Sequence, residues 1–185
     1  SDITLTFLEE FRSDVFHIYS NSWKQDGKTV FRLRSPDAWL HKLSDEIEAG
    51  RNIFVTCETI TATKNVKKWI EINHPNVDCL RIDSKTKADY NPIFNNPNKE
   101  IPKLMKGKSR LTDWYGRKMR VMIVSPVMTT GVSIFRNKGY GFDSVMGMFN
   151  YAEIYGGADM RQAIRRVRDA DTYYVYIQSI GSQSS

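Results

Sequence analysis

The sequence predicts an α/β protein with an open, mostly parallel sheet flanked by helices. Three observations lead to this class. After residue 50, short apolar runs alternate with amphipathic helical patterns, which is typical of parallel strands joined by right-handed crossovers. Asp26-Gly27 separates two apolar-rich segments at 15–23 and 29–34, which indicates an N-terminal β-hairpin. The chain has 185 residues, a length that suits one domain of about 100–200 residues.

The first helix is predicted at residues 36–49. Ser35 can cap its N-terminus, Pro36 suits its first turn, and Gly50 stands where a left-handed stop is needed. One apolar stripe runs along it at helical spacing: Trp39, Leu40, Leu43 and Ile47. The apolar run at 52–57 follows and is typical of a buried strand.

A second helix is predicted at residues 62–73. Its inward stripe consists of Ala62, Val66, Trp69 and Ile70. Further strands are predicted at 77–82, 120–124, 142–146 and 172–178. Residues 84–118 form a polar insertion in which we expect short helical turns near 101–105 and 111–115, because a structureless loop of that length is unusual in a compact domain.

These elements divide the chain into a hairpin extension at 1–34, the α/β domain at 35–180 and a tail at 181–185. No apolar run is long enough for a membrane span. The N-terminus lacks a secretory pattern and an initiator Met, so we expect a piece of a longer protein without a membrane partner. Both cysteines, Cys57 and Cys79, lie in apolar runs, which favours a reducing, intracellular compartment.

Two predicted loops carry groups that suit phosphate. After the most apolar strand, Thr129 and Thr130 offer hydroxyls, and Gly131 lets the backbone approach a ligand closely. Thr56 and Thr59 precede the second helix, whose N-terminus is a ready anion site. Taken singly, a solvated turn is the favoured interpretation of the first loop and ordinary helix capping that of the second.

A third segment, at residues 159–168, is predicted to be a helix with four arginines. One face is apolar and consists of Met160, Ala163, Ile164 and Val167. Another face groups Gln162, Arg165 and Arg166, with Arg161 and Arg168 nearby. The mutual repulsion of these arginines favours an acidic partner, and the planar guanidinium fork suits phosphate oxygens. A solvated basic face is the alternative. The net charge of +6 permits a polyanionic partner.

The order of these segments resembles the second RecA-like domain of superfamily 2 helicases, and among them the herpesvirus-type replication origin-binding helicases. The resemblance covers about residues 36–178. Residues 52–59 resemble motif IV of that family, and 80–84 the short strand segment that follows it. Residues 121–134 are similar to motif V, and 162–168 resemble motif VI, in which a glutamine is followed by two arginines.

The resemblance implies the C-terminal motor domain of an ATP-dependent helicase in DNA replication. In this family two RecA-like domains bind ATP with Mg²⁺ between them, and single-stranded nucleic acid, here expected to be DNA, crosses both. The implied catalytic residues are Arg166 and Arg168. The implied nucleotide-binding residues are Gly131, Ser133, Gln162 and Arg165, and the implied nucleic-acid-binding residues are Thr56, Thr59, Thr129 and Thr130. Two departures stand out: Arg165 occupies a position that is usually glycine, and Arg168 lies one place closer than in the commonest pattern.

A complete P-loop, G-x-x-x-x-G-K-[ST], is absent from this sequence. Residues 107–109 (Gly-Lys-Ser) supply its end, but Pro102 stands where the first glycine belongs. The acidic pair at 45–46 does not follow a strand and is a poor magnesium site. We therefore expect this chain alone to be inactive and an upstream RecA-like domain of the same protein to supply the P-loop.

Two other functions fit the same residues. One is a non-catalytic nucleic-acid-binding module that retains the fold, and the other is an interaction domain whose arginine helix binds an acidic protein. The insertion also carries a basic stretch, interpreted as a solvated loop: Lys99, Lys103, Lys106, Lys108 and Arg110. Trp114, Tyr115 and Tyr140 fall in predicted loops and are assigned to packing ahead of base stacking.

Overall fold

The computed structural model describes residues 19–25, 27–125, 133–150 and 165–178. These ranges contain a seven-stranded sheet of order β1-β2-β7-β6-β3-β5-β4. The strands are β1 (Tyr19–Gln25), β2 (Lys28–Leu33), β3 (Ile53–Cys57), β4 (Asp78–Ile82), β5 (Met119–Val124), β6 (Ser144–Asn150) and β7 (Thr172–Gln178). Six strands are parallel, and β1 pairs antiparallel to β2 at one edge. The predicted open, mostly parallel α/β sheet is confirmed.

Helices cover both faces of the sheet. They are α1 (Pro36–Glu48), α2 (Ile60–Asn73), α3 (Asn91–Asn95) and α4 (Pro97–Lys106), with a 3₁₀ turn at Lys87–Tyr90. The Ser35 hydroxyl caps α1 by accepting the Ala38 N–H at 3.0 Å, and Gly50 has the left-handed φ of +81° that the predicted stop requires. None of the helices in the described ranges is long and apolar enough to cross a membrane.

Alternation along the strands divides the core in two. Ile53, Val55 and Cys57 of β3 pack with α1 and α2 on one face, where Trp39 and Leu43 are fully buried. Phe54 lies on the other face, with α3, α4 and the segments around Ile134 and Val167. Burying a large apolar side chain contributes about 1.5–3 kcal/mol to stability. Both faces of the sheet carry such side chains, so the helices on each face stabilise the fold.

The N-terminal hairpin is part of the sheet. Gln25 pairs with Lys28 across a two-residue turn, and Gly27 supplies the positive φ, +80°, that such a turn needs. β2 also pairs in parallel with β7, from Val30 opposite Tyr173 to Leu33 opposite Tyr176. The hairpin therefore adds two strands to the sheet beyond β7, whereas the sequence predicted a separate extension attached to the α/β domain.

The segment at 84–118 forms a helical layer that covers one sheet face. Helix α4 is longer than the predicted turn at 101–105 and buries Ile101, Leu104 and Met105. It ends at Gly107, where φ is +76° and the Lys108 N–H donates to the Lys103 carbonyl at 2.9 Å, as in a Schellman motif. The short helical turn predicted near 111–115 is a non-helical turn: the Trp114 N–H donates to the Leu111 carbonyl at 2.9 Å, Thr112 has a positive φ of +44°, and Trp114 is buried.

Both cysteines should be chemically silent in the native protein. Burial raises the pKa of Cys57 to about 12 and that of Cys79 to about 12, and only the thiolate is a nucleophile. We expect iodoacetamide at pH 8 to label neither residue in the time that labels both completely in 6 M guanidinium, read by intact mass. Native labelling as fast as that of the unfolded chain would contradict this burial.

Candidate functional site

The loops after β3 and β5 leave the sheet at the same edge. The two strands are parallel neighbours, with Val55 opposite Ile123 and Thr56 opposite Val124. Carboxyl ends of parallel strands are where ligands bind in open α/β sheets. Four predicted site residues lie outside the described ranges: Thr129, Thr130, Gly131 and Gln162.

The end of the motif V-like segment lies against the arginine segment. The Ile134 N–H donates to the Arg166 carbonyl at 2.7 Å, and the Arg168 N–H donates to the Ile134 carbonyl at 3.1 Å. Ile134 and Val167 thereby form a parallel bridge with both side chains buried. The structure therefore brings together Ser133 and the arginines at 166 and 168, which are more than 30 positions apart in the sequence.

The arginine helix ends earlier than predicted. Helical backbone reaches Arg165, and Val167 is already in the bridge to Ile134. The prediction that the helix continues to Arg168 is wrong, because the backbone groups of Arg166 and Arg168 bond to Ile134 instead of continuing a helix. Val167 is buried as its place in the apolar stripe indicated.

The arginines of this segment differ in exposure, although the main chain that carries them is fixed. The Val167 carbonyl accepts the Tyr173 hydroxyl at 2.6 Å. Arg165 and Arg168 are exposed and Arg166 is half-buried. The Arg168 guanidinium carbon lies 5.8 Å from the centre of the Phe135 ring, a ring that is itself 44% exposed. Two guanidinium groups are thus accessible to an anionic ligand while the main chain that carries them is fixed.

Asn98, at the start of α4, positions the segment that follows Ser133. Its side-chain amide donates to the Ser133 carbonyl at 3.2 Å and accepts the Phe135 N–H at 2.8 Å. Its own carbonyl accepts the Asn137 side chain at 2.7 Å. Sequence reasoning missed this residue, since an Asn among other Asn and Pro residues is indistinguishable from a loop residue.

Arg136 is a second residue that sequence reasoning missed. Its guanidinium donates to the Asp143 carboxylate at 2.7 Å and lies 3.9 Å from Asp171. The hydrogen bond to Asp143 is the main reason why the pKa of Arg136 is raised. Asp143 also accepts the Asn52 N–H at 2.8 Å. This cation therefore ties the 133–142 segment to the amino ends of the strands.

The two threonines of the motif IV-like segment differ in exposure. Thr59 is exposed and caps α2 by accepting the Ala62 N–H at 3.0 Å, so the ordinary capping role is confirmed. Thr56 is fully buried inside β3, which argues against the contact with single-stranded nucleic acid that the resemblance implies for it. Helices cover both faces of the sheet, so every side chain of β3 is buried, Thr56 included.

Glu46 is the buried member of the acidic pair at 45–46. Its carboxylate accepts hydrogen bonds from Ser144, Thr172 and Arg51, and it joins α1 to the first residues of β6 and β7. These partners occupy the oxygens that a metal would need. Across the described parts of the chain, no group of three or more His, Cys, Asp or Glu side chains could hold a metal ion.

Asp83, directly after β4, forms a turn that is sensitive to acid. Its carboxylate accepts the N–H groups of Lys85 at 2.7 Å and Thr86 at 3.1 Å, and it pairs with Arg81. Burial favours the neutral acid, but the hydrogen bonds from Lys85, Arg81 and Thr86 outweigh burial and hold the pKa of Asp83 below its ordinary value. The ionised carboxylate is therefore the form that stabilises the fold.

We expect Asp83→Asn to lower the free energy of unfolding by about 1–3 kcal/mol at pH 7. A depressed folded-state pKa contributes stability that is present above the unfolded pKa, near 4, and is lost as the pH falls through the folded value. The difference between wild type and variant should therefore be constant from pH 7 to 5 and shrink below pH 4. Urea unfolding across this range measures it, and a difference that persists unchanged at pH 2.5 would contradict the role of the charge.

Neither a protein-family model nor a curated protein matches this sequence. Among solved structures, the C-terminal part of the Fun30 ATPase domain is similar at 15% identity and a TM-score of 0.45, over 79% of this chain and 44% of that chain. This chain thus spans less than half the length of that one. The C-terminal domain of a possible DNA helicase from Lactobacillus plantarum WCFS1 is similar at 13% identity and a TM-score of 0.41, over 90% and 81%. At these values neither structure bears on what this chain binds or catalyses.

Proposed function

We propose that this chain is the C-terminal RecA-like motor domain of an ATP-dependent helicase that acts in DNA replication, of the origin-binding type. The observation that carries the proposal is the pair of backbone hydrogen bonds between Ile134 and the residues Arg166 and Arg168. It joins the segment that follows Gly131 to the arginine segment. Those two motifs must meet if they serve one nucleotide.

Arginine chemistry fits a triphosphate. Guanidinium groups bind phosphate oxygens through two parallel N–H donors, and Arg168 presents its group at the surface. The proposed ligand is ATP with bound Mg²⁺: ATP carries the phosphoryl group that is transferred, and Mg²⁺ adds positive charge beside the phosphates. On this proposal Arg166 and Arg168 hold the γ-phosphate, with Gly131, Ser133, Gln162 and Arg165 beside the nucleotide. The P-loop and the magnesium-binding carboxylates come from an upstream RecA-like domain.

The nucleic-acid partner is a single strand, with DNA the expected type. Thr59 is exposed at the N-terminus of α2, where free N–H groups and the helix dipole favour anions. Thr129 and Thr130 would hold strand phosphates from the neighbouring loop. Closure on ATP and reopening after hydrolysis then shift the strand relative to the two domains.

ATP hydrolysis by the 185-residue chain and by its parent protein tests this function. We expect no turnover from the chain alone, because it lacks a complete P-loop. The parent should hydrolyse ATP, and single-stranded DNA should stimulate the rate. A parent protein without ATPase activity, or turnover by the isolated chain, would overturn the proposal.

A non-catalytic nucleic-acid-binding module is the second candidate. The distribution of charge favours it. Residues 97–118 hold seven basic and two acidic side chains, a net charge of +5, whereas the whole chain has a net charge of +6. Such a concentration serves polyanion binding without any nucleotide. A P-loop followed by an Asp-Glu pair upstream in the parent sequence supports the motor, and a different upstream domain supports the module.

A further inference from the structure

The most basic part of the chain is an ordered surface. Helix α4 buries Ile101, Leu104 and Met105 against the sheet. Its lysines, Lys99, Lys103 and Lys106, follow at i, i+4 and i+7, which places them along one outward face. Lys108 and Arg110 come directly after the helix and are exposed. The basic stretch interpreted as a solvated loop therefore lies largely on a helix that is packed against the sheet.

Two exposed tyrosines lie among these cations. Tyr115 is 58% exposed and Tyr140 is 36% exposed. The Arg110 guanidinium lies 5.0 Å from the centre of the Tyr115 ring, and the Lys106 ammonium lies 4.8 Å from that of Tyr140.

The turn after α4 brings these groups together. The Gly116 N–H donates to the Gly107 carbonyl at 2.9 Å, which places Tyr115 beside the end of α4. The whole feature is called the lysine–tyrosine surface and consists of Lys99, Lys103, Lys106, Lys108, Arg110, Tyr115 and Tyr140.

Two carboxylates in this stretch pair with particular cations. Glu100 lies 3.8 Å from the Lys103 ammonium, and Asp113 lies 3.6 Å from the Arg117 guanidinium. The net positive charge of residues 97–118 is therefore carried by Lys99, Lys106, Lys108, Arg110 and Lys118. The Lys103 side chain is 43% exposed and its ion pair with Glu100 is long, so Lys103 remains accessible to a stronger anion.

The C-terminal part of this surface lies away from the carboxyl-end loops. The Asn52 side chain, just before β3, donates to the Met105 sulfur at 3.7 Å. Gly107 lies against residues 116–118, which lead into β5 at its amino end. The end of α4 is thus at the amino edge of the sheet, opposite to the edge where Thr59 lies.

We propose that the lysine–tyrosine surface is a binding site for single-stranded nucleic acid, separate from the carboxyl-end loops. Lysines and arginines neutralise backbone phosphates, and exposed aromatic rings stack on unpaired bases. A duplex keeps its bases stacked inside and would use only the cations. The proposal shares with the proposed function only the class of partner and needs neither ATP nor the arginine segment.

Fluorescence anisotropy with a labelled 20-nucleotide oligothymidylate, without nucleotide, tests this surface in the 185-residue chain. The variant Lys99→Gln/Lys106→Gln/Lys108→Gln should bind at least tenfold more weakly at 100 mM salt. The slope of log K against log salt should fall by about 2, since each single-strand phosphate contact contributes about 0.7. The matched control Lys64→Gln/Lys68→Gln/Lys85→Gln removes three exposed lysines elsewhere and should bind within threefold of wild type.

A second variant, Tyr115→Leu/Tyr140→Leu, separates stacking from charge. It keeps apolar volume and should weaken binding roughly tenfold for each base that loses its platform, with an unchanged salt slope. Circular dichroism and thermal melting check that the lysine, control and tyrosine variants fold. Two results would overturn the proposal. One is an equal loss of binding in the control variant Lys64→Gln/Lys68→Gln/Lys85→Gln. The other is a 20-base-pair duplex that binds as tightly as the single strand, together with unchanged binding by the tyrosine variant. Oligouridylate in the same assay distinguishes RNA from DNA. Loss of this site would appear in binding, whereas failure of the motor function would appear in ATP turnover by the parent.

Discussion

Replacing Arg166 by alanine in the parent protein is expected to lower ATP turnover by about 10³–10⁵-fold, the range for arginines that stabilise a transferring phosphoryl group. The side chain can be removed without disturbing its own backbone contact, because the bond to Ile134 is made by the Arg166 carbonyl. Binding to single-stranded DNA should be largely spared, since the strand contacts are assigned to threonine loops. Steady-state phosphate release with saturating DNA measures the first effect, and anisotropy the second.

Three variants sharpen that result. Arg166→Lys keeps the charge but not the planar fork and should also be strongly impaired. Arg34→Ala removes an exposed arginine that follows β2 and should leave turnover unchanged. Arg165→Ala tests the neighbour at the usual glycine position: a large loss there with near-normal turnover in Arg166→Ala would transfer the phosphate contact to Arg165. Normal turnover in all arginine variants of the segment would refute the motor assignment.

Elements with complete local signals were predictable from the sequence. Helix α1 has a capping hydroxyl, a first-turn proline, an apolar stripe and a terminal glycine, and its observed end at Glu48 is one residue from the prediction. Strand β7 was predicted at residues 172–178 and is observed there. In both cases propensity and periodicity agree within a short window.

Features set by distant partners were not predictable in this way. The pairing of β2 with β7 joins residues more than 140 positions apart and leaves no trace in either segment. The arginine helix stops early because Val167 meets Ile134, a contact that its own apolar stripe does not reveal. In α4, the internal Pro102 obscured a helix that burial against the sheet stabilises. Strand β3 was predicted to include Thr56, but the layers that bury both of its faces come from distant parts of the chain.

Replacing Trp39 by alanine should have the largest effect on stability among the changes considered. The side chain is fully buried between α1 and the sheet, and truncation of a buried Trp costs about 3–5 kcal/mol. Native domains have only about 5–15 kcal/mol of stability, so Trp39→Ala should be partly unfolded at 37 °C. Urea unfolding followed by circular dichroism at 25 °C measures the change in the free energy of unfolding.

Trp39→Phe provides the matched control, because the indole N–H makes no hydrogen bond to any group in the described part of the chain. Phenylalanine removes this unsatisfied donor, whose burial costs about 1–3 kcal/mol, while it loses some apolar volume. The two effects oppose each other, so the net change should stay within about 1.5 kcal/mol. A loss in Trp39→Phe as large as that in Trp39→Ala would mean that the indole nitrogen is essential, and would contradict the view that this position is held by packing alone.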